Sequence, residues 1–260
     1  MQIDIYQIDA FATRLFEGNP AAVCPLEAWL PDELMQSIAA ENNLSETAFF
    51  VPDGDRYHIR WFTPAAEVEL CGHATLASAF VLFSYLGASG DTVTFDSKSG
   101  LLPVHKDGER IVLDFPAQPP EPCGTPAEII EAFAMAPVEC LQSADLLVVL
   151  EHADQVRSAD PDIATLAKLP SRGIIITAAD EEYDFISRFF APAVGIAEDP
   201  VTGSAHTQLT PYWSDRTGKT RFRARQVSAR GGDLFCELDG DRVRIGGTAV
   251  EYLRGTIDVD

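Results

Sequence analysis

Apolar and polar residues alternate along the amino terminus (MQIDIYQIDAFAT), the period of a half-buried strand. The spacing then turns helical in PDELMQSIAAE, which predicts an amphipathic helix over 31–42, and returns to extended runs in ETAFFV and YHIRWF. A second helix is predicted over 73–86 (HATLASAFVLFSYL), followed by strands TVTFD, LLPVHK and RIVLDF. The second half runs in the same order. It has a helix over 161–169, strands RGIIIT and YDFISRFF, a helix over 203–213, then FRARQVS, LFCEL and RVRIG. The Asp-Gly pairs of KDGER and LDGDR lie between alternating apolar runs and read as hairpin turns.

Short motifs repeat in step with these elements. RWFTP (60–64) returns as RFFAP (188–192), Pro31-Asp32 as Pro161-Asp162, SKSG (97–100) as SARG (228–231), and DGER (107–110) as DGDR (239–242). All keep one order and nearly one offset, which points to a duplication. The expected domains are 1–116 and 117–250, with a cleft between them. The strand 250–260 is a candidate to complete the first domain, and the Pro-rich stretch FPAQPPEPCGTP (115–126) is the linker. The helix over 73–86 is apolar on nearly every face and must be buried, so sheet has to surround it. The expected fold is α+β: two pseudo-symmetric domains, each a curved, mostly antiparallel sheet wrapped around a central helix.

Composition narrows the function classes. The 260 residues are 46% hydrophobic and 23% charged, a globular profile. With 19 basic against 40 acidic side chains the net charge is −21, which disfavours nucleic acid and anionic membranes as partners. Few of the basic residues are lysine, a balance that suits a high-salt cytoplasm. No run of 18 apolar residues and no signal pattern is present, so a cytoplasmic location is expected. The five cysteines are scattered without a CxxC pair, which suggests free thiols and neither a disulfide framework nor a thiolate zinc site.

Candidate chemistry gathers at two predicted helix starts. Gly72-His73-Ala74-Thr75 and Thr202-Gly203-Ser204-Ala205-His206 carry small residues there, which leaves the first amides bare for an anion such as a substrate carboxylate. Counted from the proline of each RxFxP motif, Cys71 and Asp199 both stand seven residues on, a thiol in one half and a carboxylate in the other. Ordinary capping by Thr202 or Ser204, with the glycines as turn residues, is the competing account. Strand alternation puts Glu46 on one side with Ala48 and Phe50, a setting in which a carboxyl group can both take and return a proton near neutrality. Acidic residues at strand ends also commonly face solvent. His73, His206, Asp199 and Cys71 are acceptable metal ligands, without HxH, HExxH or paired-cysteine spacing. Cys71 near His73 invites a thiol nucleophile with no oxyanion motif beside it, and Ser204 lies outside any GxSxG turn. Arg221, Arg223 and Arg225 form the one basic cluster, read as neutralising nearby acids or marking a subunit contact, with a substrate-anion role as the lesser alternative.

FxGNPAAV (16–23), NLSETAFFV (43–51), RWFTPxxEVxLCGHATLA (60–77), RFFAPxxGIxEDPVTGSAH (188–206) and SARGG (228–232) together resemble the PhzF-like isomerase family of phenazine biosynthesis, over nearly the whole chain. That family is similar in fold to diaminopimelate epimerase. The resemblance implies proton chemistry without cofactor or metal on a small carboxylate-bearing substrate, by a homodimer. It places the catalytic acid/base on Glu46 and substrate-orienting or proton-assisting roles on His73, Asp199 and Ser204. The amides expected to hold the carboxylate fall on Gly72 and Gly203. Epimerases of this fold face two cysteines across the substrate carbon; here Cys71 keeps the first place and Asp199 is read at the second, which disfavours a two-thiol racemase. The leading expectation is therefore an isomerase. A non-catalytic binding protein for small acids and a metal-dependent hydrolase are the alternatives.

Overall fold

The alternating amino terminus is strand β1 (Gln2–Ala10) in a computed structural model that describes residues 1–259. β2 (Asn19–Pro25) pairs antiparallel with it, and α1 (Asp32–Asn42) carries the chain back so that β3 (Glu46–Asp53) lies parallel to β2. β4 (Arg56–Phe62) forms a hairpin with β3, and the two-residue β5 (Glu67–Val68) folds against the end of β4. After α2 (Gly72–Ser84), β6 (Thr92–Ser97) lies parallel to β4, and β7 (Gly100–Asp107) and β8 (Arg110–Pro116) follow antiparallel.

The same order of connections recurs downstream. β9 (Glu121–Cys123) and α3 (Ala127–Phe133) lead into β10 (Glu139–Gln142), which pairs antiparallel with β11 (Leu146–Val149). Two short helices, α4 (Ala153–Ser158) and α5 (Ile163–Leu166), return the chain so that β12 (Ile174–Ala179) lies parallel to β11. β13 (Phe185–Ala191) forms the hairpin, and β14 (Ile196–Asp199) folds against it. After α6 (Gly203–Thr217), β15 (Arg221–Gln226) lies parallel to β13, then β16 (Gly232–Asp239) and β17 (Arg242–Gly247) complete the series. Finally β18 (Ala249–Asp258) pairs along the whole of β1. Two compact units result. One is Met1–Asp114 with the chain from Gly246 onward, the other Phe115–Ile245. Asp260, the last residue of the expected 250–260 strand, lies outside the described residues.

In the first unit α2 is the central helix. His73 to Ala79, Val81 and Leu82 are buried, and the helix packs on β1, β2, β3 and β18. In the second unit α6 takes that place. Its Trp213 stacks on Phe185 of β13 and donates to Thr177 of β12 at 3.1 Å. Antiparallel pairs dominate both units, and the architecture is the expected α+β one of sheet around helix. Among the described residues no helix is long and apolar enough to cross a membrane.

Several elements differ from expectation for identifiable reasons. The helix read over 161–169 shrinks to one turn: Asp162 caps it by accepting from the Ala164 amide, and Pro170 forbids a longer course. α6 runs to Thr217 although Pro211 sits inside it. Proline has no N–H for the Thr207 carbonyl four residues back, and the Gln118 amide of the linker supplies that bond at 3.0 Å. The linker is therefore partly ordered, with β9 paired to β10. The elements from 127 to 158 are too short for periodicity to reveal.

Candidate active site

Glu46 opens β3 opposite Ala21 of β2. Thr47 to Val51 are buried on both faces of the strand, so alternation does not separate an inner from an outer side. The Glu46 side chain is only 12% exposed and does not project into solvent. His73 is the second residue of α2, and its Nε2 lies 3.1 Å from Glu46 Oε2. The contact is an ionic approach without hydrogen-bond alignment, so neither atom has a hydrogen-bond partner. On the other edge of the ring, His73 Nδ1 is 3.5 Å from Cys71 Sγ.

Burial works against a charged His73, but Cys71 and Glu46 on its two edges outweigh it and hold the imidazole well above its ordinary value. Burial, with the Glu46 charge added, pushes the Cys71 thiol up to about 11, so near neutral pH that sulfur carries no charge. Glu46 is the carboxylate of the two neighbours that favour a protonated His73. A carboxylate beside an imidazolium, both shielded from water, is a base next to a hydrogen-bond donor.

Glu46, Cys71 and His73 also offer three potential metal ligands within 4.8 Å of one another. Their geometry is poor for one ion, because sulfur and carboxylate address opposite ring nitrogens and an ion on either nitrogen faces only one of them. The other potential ligands named from sequence, Asp199 and His206, belong to the second unit.

There, Asp199 ends β14 and is buried. Thr202 occupies the position before α6, but its hydroxyl donates to the Asp199 carboxylate and caps nothing. Gln226 locks this turn, accepting from the Thr202 amide at 2.9 Å and donating to the Asp199 carbonyl at 2.7 Å. The capping account therefore fails for Thr202, and Gly203 and Ser204 open a helix start without a side-chain cap, as Gly72 and His73 do in α2. The counterpart of Cys71 by helix position is Thr202 and not Asp199, because the chain from the RxFxP proline to the helix start is longer in the second unit, where β14 has four residues against two in β5. No second thiol stands at either place.

His206 lies apart from this chemistry. It is fully buried, its Nδ1 is 2.9 Å from the Thr202 carbonyl, and its ring stacks on Phe185; burial lowers it to about 4. Arg221 and Arg225 pair with Glu237 and Asp233, so the basic cluster neutralises acids as one expectation had it. Sequence reasoning missed Arg172, whose Nη2 is 3.3 Å from Ser204 Oγ, and Asp145, which holds it. The available signal was strand register: Arg172 stands one residue before Gly173, the residue that leads into β12 and corresponds to Glu46.

Two units of sheet around a central helix define the fold class of the epimerases. A hydroxyproline epimerase from Agrobacterium vitis shares it at a TM-score of 0.64 and 10% identity, over 98% of this chain and 92% of that one. The description of phenazine biosynthesis-like proteins matches residues 8–255, and the chain belongs to that family. An "uncharacterized isomerase" of Pseudomonas aeruginosa is 55% identical over 99% of both chains. The crystal structure of an Enterococcus faecalis PhzF-family phenazine biosynthesis protein superposes with a TM-score of 0.98 at 48% identity, covering 100% of each chain. The chain is an enzyme of the isomerase class.

Proposed function

We propose that this protein is a cofactor-independent isomerase that moves a proton on a small carboxylate-bearing metabolite, with Glu46 as the acid/base. The observation that carries the reading is the buried Glu46–His73 pair at the start of α2, whose two facing atoms have no hydrogen-bond partner. Glu46 takes a proton from a carbon activated by the substrate's carboxylate or by an adjacent double bond, and returns it to another carbon or to the same one. The imidazolium of His73 donates to the negative charge that builds on the substrate meanwhile, in a dry setting where such a donor counts for more. The amides of Gly72 and Gly203, with Ser204, are assigned to the carboxylate, and Asp199 to orienting the substrate or assisting proton transfer. The family resemblance supports a homodimeric, cytoplasmic enzyme.

Incubating amino acids and cyclic hydroxy acids in deuterated water, with NMR detection of exchange, finds the substrate class and tests the base. Glu46→Gln should lower exchange about 10²- to 10⁴-fold, the usual contribution of one well-placed base. Undiminished exchange of a true substrate in that variant refutes the assignment.

A further inference from the structure

The two units share a plan but place different charges on it. In the β3–β4 hairpin Phe49 faces Arg60, and in the β12–β13 hairpin Ile176 faces Arg188. Three residues back from these positions, Glu46 corresponds to Gly173, and the preceding residue in the second unit is Arg172. His73 and Ser204 are both the second residue of their helix. One contact between strand start and helix start therefore occurs twice: Glu46 to His73 at 3.1 Å, and Arg172 to Ser204 at 3.3 Å. The first unit offers carboxylate and imidazole where the second offers guanidinium and hydroxyl.

Arg172 is built in with care. Its Nε and Nη2 bond both oxygens of Asp145 at 2.9 and 2.6 Å, and Asp145 is fully buried. Gln208 donates to the same carboxylate at 3.1 Å, and the guanidinium lies over the Phe189 ring. Gly173 makes room, since a Cβ there would fall 2.2 Å from Phe189 Cζ and 2.9 Å from Asp145 Oδ1. Even so, the Arg172 side chain is 50% exposed, and its Nη1 bonds no group among the described residues. A surface arginine that served only to neutralise an acid would not need a buried, doubly bonded anchor. Such a fork, fixed before the ligand arrives, is suited to planar recognition of a carboxylate.

We propose that Arg172 is the substrate-carboxylate anchor of the second unit. It binds one carboxylate through Nη1 and through the Nη2 hydrogen now spent on the long Ser204 contact, and it selects anionic acids over their uncharged amides. The inference deepens the proposed function and rests on its assignment of Gly203 and Ser204 to the substrate.

Acetate, with acetamide as its uncharged counterpart, is small enough to probe the fork without knowledge of the substrate. In the full chain, acetate should shift the amide signals of Gly203 and Ser204 and the Arg172 Nε signal saturably, and acetamide should not. Arg172→Gln should weaken acetate at least about tenfold, the loss expected for a charge-assisted hydrogen bond. Arg172→Lys should fall between, and guanidinium chloride, unlike sodium chloride, should restore binding to Arg172→Gln. Should that variant fold poorly around an unpaired Asp145, Asp145→Asn/Arg172→Gln removes both charges and should show the same loss. No saturable acetate effect in the native protein, or unchanged acetate affinity in the folded variants, overturns the proposal. Glu46→Gln should keep the acetate response. Full deuterium exchange in Glu46→Gln alongside Arg172-dependent acetate binding would reject the base and leave the anchor standing.

Discussion

Replacing Glu46 by Gln should change how stability depends on pH, through His73. Two unit charges 3.1 Å apart attract by about 5 kcal/mol at an effective dielectric of about 20. The variant loses that attraction and keeps the cost of burying an imidazolium, so His73 should move down from its raised value. In the native protein the folded state binds the His73 proton more tightly than the unfolded chain, whose value is near 6.5. The resulting stability is fully present below 6.5 and is lost as pH rises through the raised folded value. In Glu46→Gln the folded state holds that proton less tightly, so less stability is gained as pH falls. The gap between the two proteins should therefore widen with falling pH, by about 1.4 kcal/mol per unit wherever their His73 proton occupancies differ fully. Urea unfolding at about pH 5.5 and 8.5, read by tryptophan fluorescence, measures the gap, and NMR titration of the His73 ring locates the proton. An equal gap at both pH values, with His73 titrating as in the native protein, refutes the argument that Glu46 charges it.

Two further outcomes follow from the second unit. His206, lowered to about 4 by burial, stays neutral while the unfolded chain takes up its proton below 6.5. Its presence should therefore cost stability at about 1.4 kcal/mol per unit as pH falls from 6.5 toward 4, a slope that His206→Gln should remove in urea unfolding series. Gly173→Ala should destabilise the chain by about 1–3 kcal/mol through overpacking against Phe189 and should also disturb the Arg172–Asp145 pair. Thermal unfolding with acetate titration reads both effects, and an unchanged melting temperature would refute the crowding.

The duplication and the order of elements were legible because each half carries long periodic runs and turn residues that act locally. The strands between 139 and 149 were not, since four residues give no period, and the buried run of β11 reads alike as strand or helix core. Glu46, His73, Gly203 and Ser204 were legible by their motifs. What sequence could not supply was which side chains meet. Local reading set Cys71 and Asp199 as counterparts by counting from proline, and the longer β14, four residues against two in β5, shifts that count. Arg172 and Asp145, 27 residues apart, gave no motif because their pairing depends on β11 lying beside β12.

The strongest repeat in the sequence marks scaffold and not chemistry. Arg60 grips both oxygens of Glu67 at 2.8 and 2.9 Å, lies over Phe62, and reaches Asp32 at the start of α1. Arg188 grips Glu198 in the same bidentate way, lies over Phe190, and bonds the Ala159 carbonyl just after α4. Each arginine thus ties a hairpin strand to the short strand that leads into the central helix, and to a helix packed behind. That clamp fixes where the helix begins in both units. With the backbone held twice by one device, the residues that differ between the copies, Glu46 against Gly173 and His73 against Ser204, with Arg172 beside them, set carboxylate and imidazole in one unit against guanidinium and hydroxyl in the other. A repeat conserved in position across two halves of one chain is then the place to read architecture, and the mismatches beside it are the place to read reactivity.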